Sequence, residues 1–339
     1  MKAYNKLTHH IQKKCLVVGD IHIGNNKNNP IFFDTSIKYA TWIRDICIEN
    51  NIHQIIQLGD ILHDRNHIHL AASDCVYDFF TILSKFDIHV TVGNHECLYN
   101  TNTSINSLKL LSEWPNITIH DKVTTIDDIT FCGWGTKLDD IPKKQKIIFG
   151  HFDIKGFDMS ANKIAEHGFT ASDLMERCEL LMTGHYHKPQ TRFYSKKPLI
   201  YTGSCFQLNW GESGEDKFAY ILDTETLKYE AVENKISPRF EYIKSKKDYG
   251  KIANNFVAIE SIVDEHDNII AEMMANNALD IKTINRPSKK VINDDTVKDF
   301  KGIDVCDVID EYVSLVEDLT EEDKKYLAER GKRLYSECV

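Results

Sequence analysis

Two periods alternate through the first hundred residues. Lys14–Val18, Ile52–Leu58 and Ile88–Val92 are short, nearly continuous apolar runs, the pattern of strands covered on both faces. Between them, Phe32 to Asn50 and Ala71 to Lys85 repeat at helical spacing, with Phe33, Ile37, Ala40, Ile43 and Cys47 marking the first stripe. The order predicts a βαβαβ opening and a parallel sheet with helices on its faces. From Ile117 the segments shorten to strand-like runs at 129–132, 146–149, 180–182, 191–194, 198–202, 218–222 and 227–232. They predict a second, more antiparallel sheet. The expected class is α/β with α+β character: two β-sheets packed face to face, flanked by helices.

Ser237-Pro238 breaks this pattern. Beyond it, strands near 256–260 and 280–284 flank a helix near 269–276, a small α+β unit. Arg286 to Gly302 is polar, contains Pro287 and reads as a linker. Val305, Val308, Ile309, Tyr312, Val316 and Leu319 then share one helical stripe, and Thr320-Glu321-Glu322-Asp323 is a helix-start signal for a second helix through Leu327 and Leu334. The expected domains are therefore 1–236, 237–285, a linker at 286–302 and a helical hairpin at 303–339. Two short tethered helices bury little apolar surface alone, so they call for a partner or a landing place.

Five apolar runs end in glycine followed at once by a metal-ligand residue type: Gly19-Asp20, Gly59-Asp60, Gly93-Asn94-His95, Gly150-His151 and Gly184-His185. Glycine at such a turn tolerates unusual backbone angles and lets the chain pass close to a ligand. If the strands share a sheet, their carboxyl ends share an edge, where open α/β sheets place their sites. Asp20-Ile21-His22 and His185-Tyr186-His187 each put two ligands on one side of an extended chain. A lone D-x-H carries little weight; the set together predicts a centre for two borderline or hard divalent ions, Mn2+ first and Mg2+ second, since a structural zinc site would use cysteine.

Composition changes this picture little. The nine cysteines form no C-x-x-C pair and read as reduced core residues. No run approaches a membrane span, and the opening residues are too polar for a secretory signal, so a cytoplasmic protein is expected, in the host cytoplasm if it is viral. The net charge of −10 seems to disfavour nucleic acid, but residues 303–339 hold eleven Asp and Glu against five Lys and Arg and so carry −6 of it. Candidate phosphate-contacting clusters are Lys143, Lys144 and Lys146; Lys188, Arg192, Lys196 and Lys197; and Lys244, Lys246, Lys247 and Lys251. The second lies beside the predicted metals.

The D-x-H, G-D, G-N-H, G-H and G-H-x-H series between Gly19 and His187 resembles the calcineurin-like metallophosphoesterases. The resemblance implies one ion on Asp20, His22, Asp60 and His187, and another on Asp60, Asn94, His151 and His185, with Asp60 bridging. It implies water-activated attack on phosphorus and a leaving-group role for His95. His63, three residues after Asp60, is a further candidate for contact with the substrate phosphate. Within the superfamily, Asp20-Ile21-His22-Ile23-Gly24 and Gly59-Asp60-Ile61-Leu62-His63 resemble the SbcD-type DNA nucleases, and most of all the recombination endonuclease subunits of T-even phages. The protein phosphatase pattern G-D-x-x-D-R-G fails because Asp64-Arg65 falls one residue late and Asn66 follows. Glu96 departs from the aspartate usual in the nucleases.

That resemblance implies exonuclease and single-strand endonuclease activity on DNA in recombination and double-strand break repair. It also implies a capping domain over 237–285 and docking of 303–339 on an SbcC-type coiled-coil ATPase. Homodimerisation is left open. The competing readings are a phosphoprotein or nucleotide phosphoesterase and a non-catalytic scaffold. The remaining histidines, His9, His10, His53, His67, His69, His89, His120, His167 and His266, read as surface or packing residues.

Overall fold

The computed structural model describes residues 10–99, 102–160, 163–261, 266–285, 305–314 and 320–338. The first sheet runs Tyr229–Glu233, Phe218–Asp223, Lys14–Val18, Gln54–Gln57, Asp87–Thr91, Ile117–His120. Its last four strands are parallel and the first two antiparallel. The second runs Gln190–Tyr194, Lys197–Tyr201, Cys178–Gly184, Gln145–His151, Ile129–Cys132, Thr124–Ile126. It is not the more antiparallel sheet expected: its four central strands are parallel, and only the outer hairpins reverse. An apolar run such as Ile147-Ile148-Phe149 is the same buried strand in either direction, so strand pattern alone could not decide the pairing.

Alternate residues of each run serve different cores. Cys15 and Val17 face the layer between the sheets with Ile56, Phe131, Phe149, Leu180 and Met182, while Leu16 and Val18 turn to the helices. In the second sheet Ile148 and Leu181 reach a third core with Phe152, Phe157 and Tyr201. Burying each such side chain contributes about 1.5–3 kcal/mol. Seven cysteines are buried among the described residues. The helix Pro30–Glu49 starts at Asn29, whose side chain accepts the Ile31 N–H (3.0 Å), and buries Phe32, Tyr39, Ile43 and Ile46; its stripe is turned slightly from the predicted one, leaving Phe33 and Ile37 partly covered. The helix Leu70–Ile82 buries Val76, Phe79 and Phe80.

Two histidines read as packing residues are built into the layer between the sheets. His89 Nδ1 and His120 Nε2 lie 2.9 Å apart, and both rings stack on Phe131. Burial depresses His89 to about 4; burial and the neighbouring His89 charge depress His120 to about 3. The unfolded chain binds protons here near pH 6.5 and the folded one does not. The pair's contribution is therefore complete above pH 6.5 and drains as pH falls toward 4, by roughly 3 kcal/mol per group. Urea midpoints at pH 7.5 and 5.0 should show the first part of this loss, about 2 kcal/mol per group, and a His89→Gln/His120→Phe double variant should lose markedly less. An equal loss in the variant would assign the acid sensitivity to other groups.

Past Pro238, strands Phe240–Ile243, Phe256–Ser261 and Asp280–Asn285 form a three-stranded parallel sheet with the helix His266–Ala275. Phe240 and Phe256 stack on each other (4.7 Å) and meet Phe32 at 6.4 and 5.3 Å, seating this sheet against the helix Pro30–Glu49.

The chain divides into two compact units, residues 1–286 and 287–339. The second contains helices Val305–Ser314 and Glu321–Cys338, which touch where Gly331 leaves room for Ile309; a Cβ there would lie 3.0 Å from Ile309 Cγ2. Thr320 caps the later helix through the Asp323 N–H (3.2 Å). The expected linker at 286–302 and the stripe positions Val316 and Leu319 lie outside the described residues. No described helix is long and apolar enough to cross a membrane.

Candidate metal centre

The five glycine junctions divide between two sheets rather than sharing one. Three follow strands of the first, and two belong to strands of the second. Because the sheets pack face to face, the junctions still meet. Gly59 alone of the five has a left-handed backbone, φ 95°. Close approach explains others: a Cβ on Gly93 would fall on the Asp60 carboxylate, and one on Gly184 would fall on that of Asp20.

Nor do the D-x-H and H-x-H segments stay extended. His22, Asp60 and His185 hold φ of 55°, 52° and 94°, conformations that cost of order 1–3 kcal/mol each for non-glycine residues. Neighbouring loops impose them. The Asp60 carbonyl accepts the N–H groups of Ile21 (2.9 Å) and His22 (3.0 Å), and the Asp60 carboxylate accepts the His95 N–H (2.9 Å). Asp20 accepts the His185 N–H at 3.0 Å.

The side chains of all seven residues expected as ligands converge on one another. Asp20, His22 and His187 form one group whose ligand atoms lie within 4.8 Å of one another; Asp60, His151 and His185 form a second. Asn94 Oδ1 completes the second, 3.0 Å from His151 Nε2 and 2.8 Å from His185 Nδ1. Asp60 Oδ2 lies between the groups, 3.6 Å from His22 Nε2 and 3.4 Å from His151 Nε2. A third group joins His22 to His63 and His95. There, His95 Nδ1 donates to the His63 carbonyl (2.5 Å), the two rings stack, and His63 Nδ1 lies 3.3 Å from His22 Nδ1. Among the other histidines, His10, His53, His67, His69 and His167 are exposed; His9 and the His266 side chain lie outside the described residues.

The electrostatics are those of a cation site. Burial pushes the Asp20 carboxyl up to about 7 against the pull of the His151 charge, and the Asp60 carboxylate adds to the rise. At Asp60 burial also pushes upward and is the largest single influence, but the charge and hydrogen bond of His151, with the charges of His22 and His95, together outweigh it and hold this carboxyl well below its ordinary range. Burial works against a charged His151, yet the Asp60 and Asp20 carboxylates lift it to about 9. Burial drops His185 to about 3, leaving it a neutral donor. His22 and His187 point Nε2 at each other across 3.0 Å. Convergent carboxylate, amide and imidazole lone pairs fit oxygen- and nitrogen-liking divalent ions.

Sequence reasoning missed the supports behind these groups. Glu96 accepts the N–H groups of Asp60 (2.9 Å), Gly93 (2.9 Å) and Leu62 (3.0 Å), tying the Asp60 and Asn94 turns together. Its position directly after G-N-H was the available signal. Trp134 packs on His185, centroids 4.8 Å apart, and Glu212 accepts from His187 Nδ1 at 3.0 Å; no motif marks either. The basic cluster after His187 is largely engaged. Lys188 pairs with Asp158 (2.7 Å), Arg192 stacks on Phe157 (4.1 Å) and Lys197 pairs with Glu179 (3.0 Å), leaving Lys196 exposed.

Residues 13–195 match the calcineurin-like phosphoesterase family. The chain belongs to that family. It is accordingly a metal-dependent phosphoesterase, of a class that uses two divalent metals. It is 24% identical over 346 residues to exonuclease subunit 1 of Enterobacteria phage T4, covering 96% of this chain and 99% of the relative. Among solved structures it is similar to an archaeal phosphodiesterase (16% identity, 65% of this chain, 99% of that one, TM-score 0.36). Another is the nuclease MPE of Pseudomonas putida (16% identity, 61% and 84%, TM-score 0.31).

Proposed function

We propose that this phosphoesterase is a DNA nuclease subunit that hydrolyses phosphodiester bonds as an exonuclease and single-strand endonuclease. The observation that carries the reading is the meeting of Asp20, His22, Asp60, Asn94, His151, His185 and His187 in one pocket, with only two carboxylates among the seven. The end-to-end similarity to an exonuclease subunit supports a polymeric substrate over a small ester.

Asp20, His22, Asp60 and His187 would hold one ion, and Asp60, Asn94, His151 and His185 the other, Mn2+ before Mg2+. When bound, such ions polarise a phosphoryl oxygen and lower the pKa of water. The protein's own contribution is charge and orientation. Two carboxylates offset only half of four positive charges, so a phosphodiester remains welcome. His151 Nδ1 lies 2.7 Å from the Leu58 carbonyl, to which it donates, leaving Nε2 as the ligand atom. The His95 Nδ1 bond to the His63 carbonyl likewise leaves Nε2 toward the candidate ligands, and in the doubly protonated ring that nitrogen would give its proton to the leaving oxygen, Nδ1–H staying on the carbonyl. His63 would meet a phosphate oxygen, a role that its stacking on His95 supports.

In this reading residues 1–236 are the catalytic domain, 237–285 cap it, 286–302 link it, and 303–339 dock on an SbcC-type coiled-coil ATPase that acts with it in recombination and double-strand break repair. Exposed Tyr326, Leu327 and Tyr335 on the last helix support a docking role. The setting is the cytoplasm, that of a host if the source is a phage.

Linear DNA and small esters, p-nitrophenyl phosphate and bis-p-nitrophenyl phosphate, compared with Mn2+ present, test the substrate class. Manganese-dependent degradation of DNA is expected. Turnover of the small esters with DNA left intact would replace DNA with a small phosphoester in this assignment.

A further inference from the structure

His187 is the one candidate ligand whose second ring nitrogen meets a carboxylate. Glu212 Oε1 accepts from His187 Nδ1 at 3.0 Å and from Asn209 Nδ2 at 2.9 Å. Its Oε2 accepts from Ser204 Oγ (3.0 Å) and the Leu208 N–H (3.2 Å), and pairs with Lys217 Nζ at 2.7 Å. Lys217 is itself only 3% exposed and also donates to the His187 carbonyl (2.8 Å) and to Glu215 (2.8 Å). Every oxygen lone-pair direction of this buried carboxylate is thus occupied, so it has little freedom to turn.

The segment carrying it is fixed from the other side. Trp210 packs on Phe240 (5.0 Å) and Tyr242 (5.3 Å) of the three-stranded sheet, Ser213 Oγ donates to the Phe240 carbonyl (2.6 Å), and Gln207 Oε1 accepts the Phe240 N–H (2.7 Å). Among the described residues, no carboxylate meets the second ring nitrogen of His151 or His185. His151 is oriented by the Leu58 carbonyl and His185 packs on Trp134.

We infer that Glu212, held by Lys217, is a positioning residue that sets the ring orientation and tautomer of His187 and thereby governs the affinity of only one of the two ion sites. A carboxylate accepting the Nδ1 proton leaves the Nε2 lone pair aimed into the pocket and makes it a stronger donor; losing such a partner costs 10–100-fold in metal affinity elsewhere. A support confined to structure would weaken both sites together or neither.

The inference rests on the two-metal reading, and one titration separates their failures. Mn2+ binding to the full chain is followed by calorimetry and by electron paramagnetic resonance, with melting of the metal-free protein as the fold control. Wild type is expected to bind two ions. Glu212→Gln, which keeps the size of the side chain and removes its charge, should weaken one ion by about 10–100-fold and leave the other within about twofold, so that single-ion signals persist where wild type gives a coupled pair. Asn209→Ala, which removes one hydrogen bond to Glu212 and the one its Oδ1 accepts from the Gly211 N–H (2.8 Å) but no charge, should weaken the same ion by a smaller factor; it carries the test if Glu212→Gln does not fold. Wild type binding fewer than two ions would sink the two-metal reading. Two ions in wild type, with both sites unchanged or equally weakened in the folded variants, would overturn the positioning role alone.

Discussion

Replacing Asp60 by asparagine is expected to lower metal-dependent DNA cleavage by at least about 10³-fold, the scale on which removing a key electrostatic group acts. Asparagine is the informative change because Asp60 sits at φ 52°, a region asparagine tolerates better than alanine. Its amide can still accept the His95 N–H that Asp60 Oδ1 accepts at 2.9 Å. What it lacks is the charge that lies between the two ligand groups, 3.6 Å from His22 and 3.4 Å from His151. Cleavage assays with Mn2+ and melting with chelator read the two consequences separately. Lost activity on a surviving fold is expected; retained activity would remove Asp60 from its shared position.

The second large effect concerns His95. With Nδ1 committed to the His63 carbonyl, Nε2 is the atom left to exchange a proton with the leaving oxygen. A general acid contributes about 10²–10⁴-fold, so His95→Asn should lose roughly that factor in kcat on DNA, whose leaving alkoxide needs a proton. It should retain both ions, since His95 is outside the two ligand groups that hold them in this reading. An ester leaving as p-nitrophenolate needs little protonation and should lose far less, provided the wild type turns it over. Equal losses on both substrates would exclude proton donation, and no loss on either would remove His95 from the reaction.

Much of this was readable in the sequence because its signals are local. Strands such as Lys14–Val18 and Gln145–His151 are short apolar runs, and a ligand residue following glycine at a strand end marks the site wherever the strand lies. What depends on distant pairing was not readable. The partition of the five junctions between two sheets, and the parallel centre of the second, follow from which runs lie side by side. The left-handed turns at His22, Asp60 and His185 come from neighbouring loops rather than from residue preference. Glu212 lies 25 residues from His187 and meets it only through the fold. Lys188, Arg192 and Lys197 read as free charge, yet each has found a partner.

The central claim is that strand ends from two sheets deliver these donors to one pocket that binds a pair of cations. Anomalous diffraction at the manganese edge from crystals grown with Mn2+ tests it most directly. Two peaks are predicted, one beside Asp20, His22 and His187, the other beside Asn94, His151 and His185, with Asp60 between them. A single peak, or peaks away from these residues, would contradict the account.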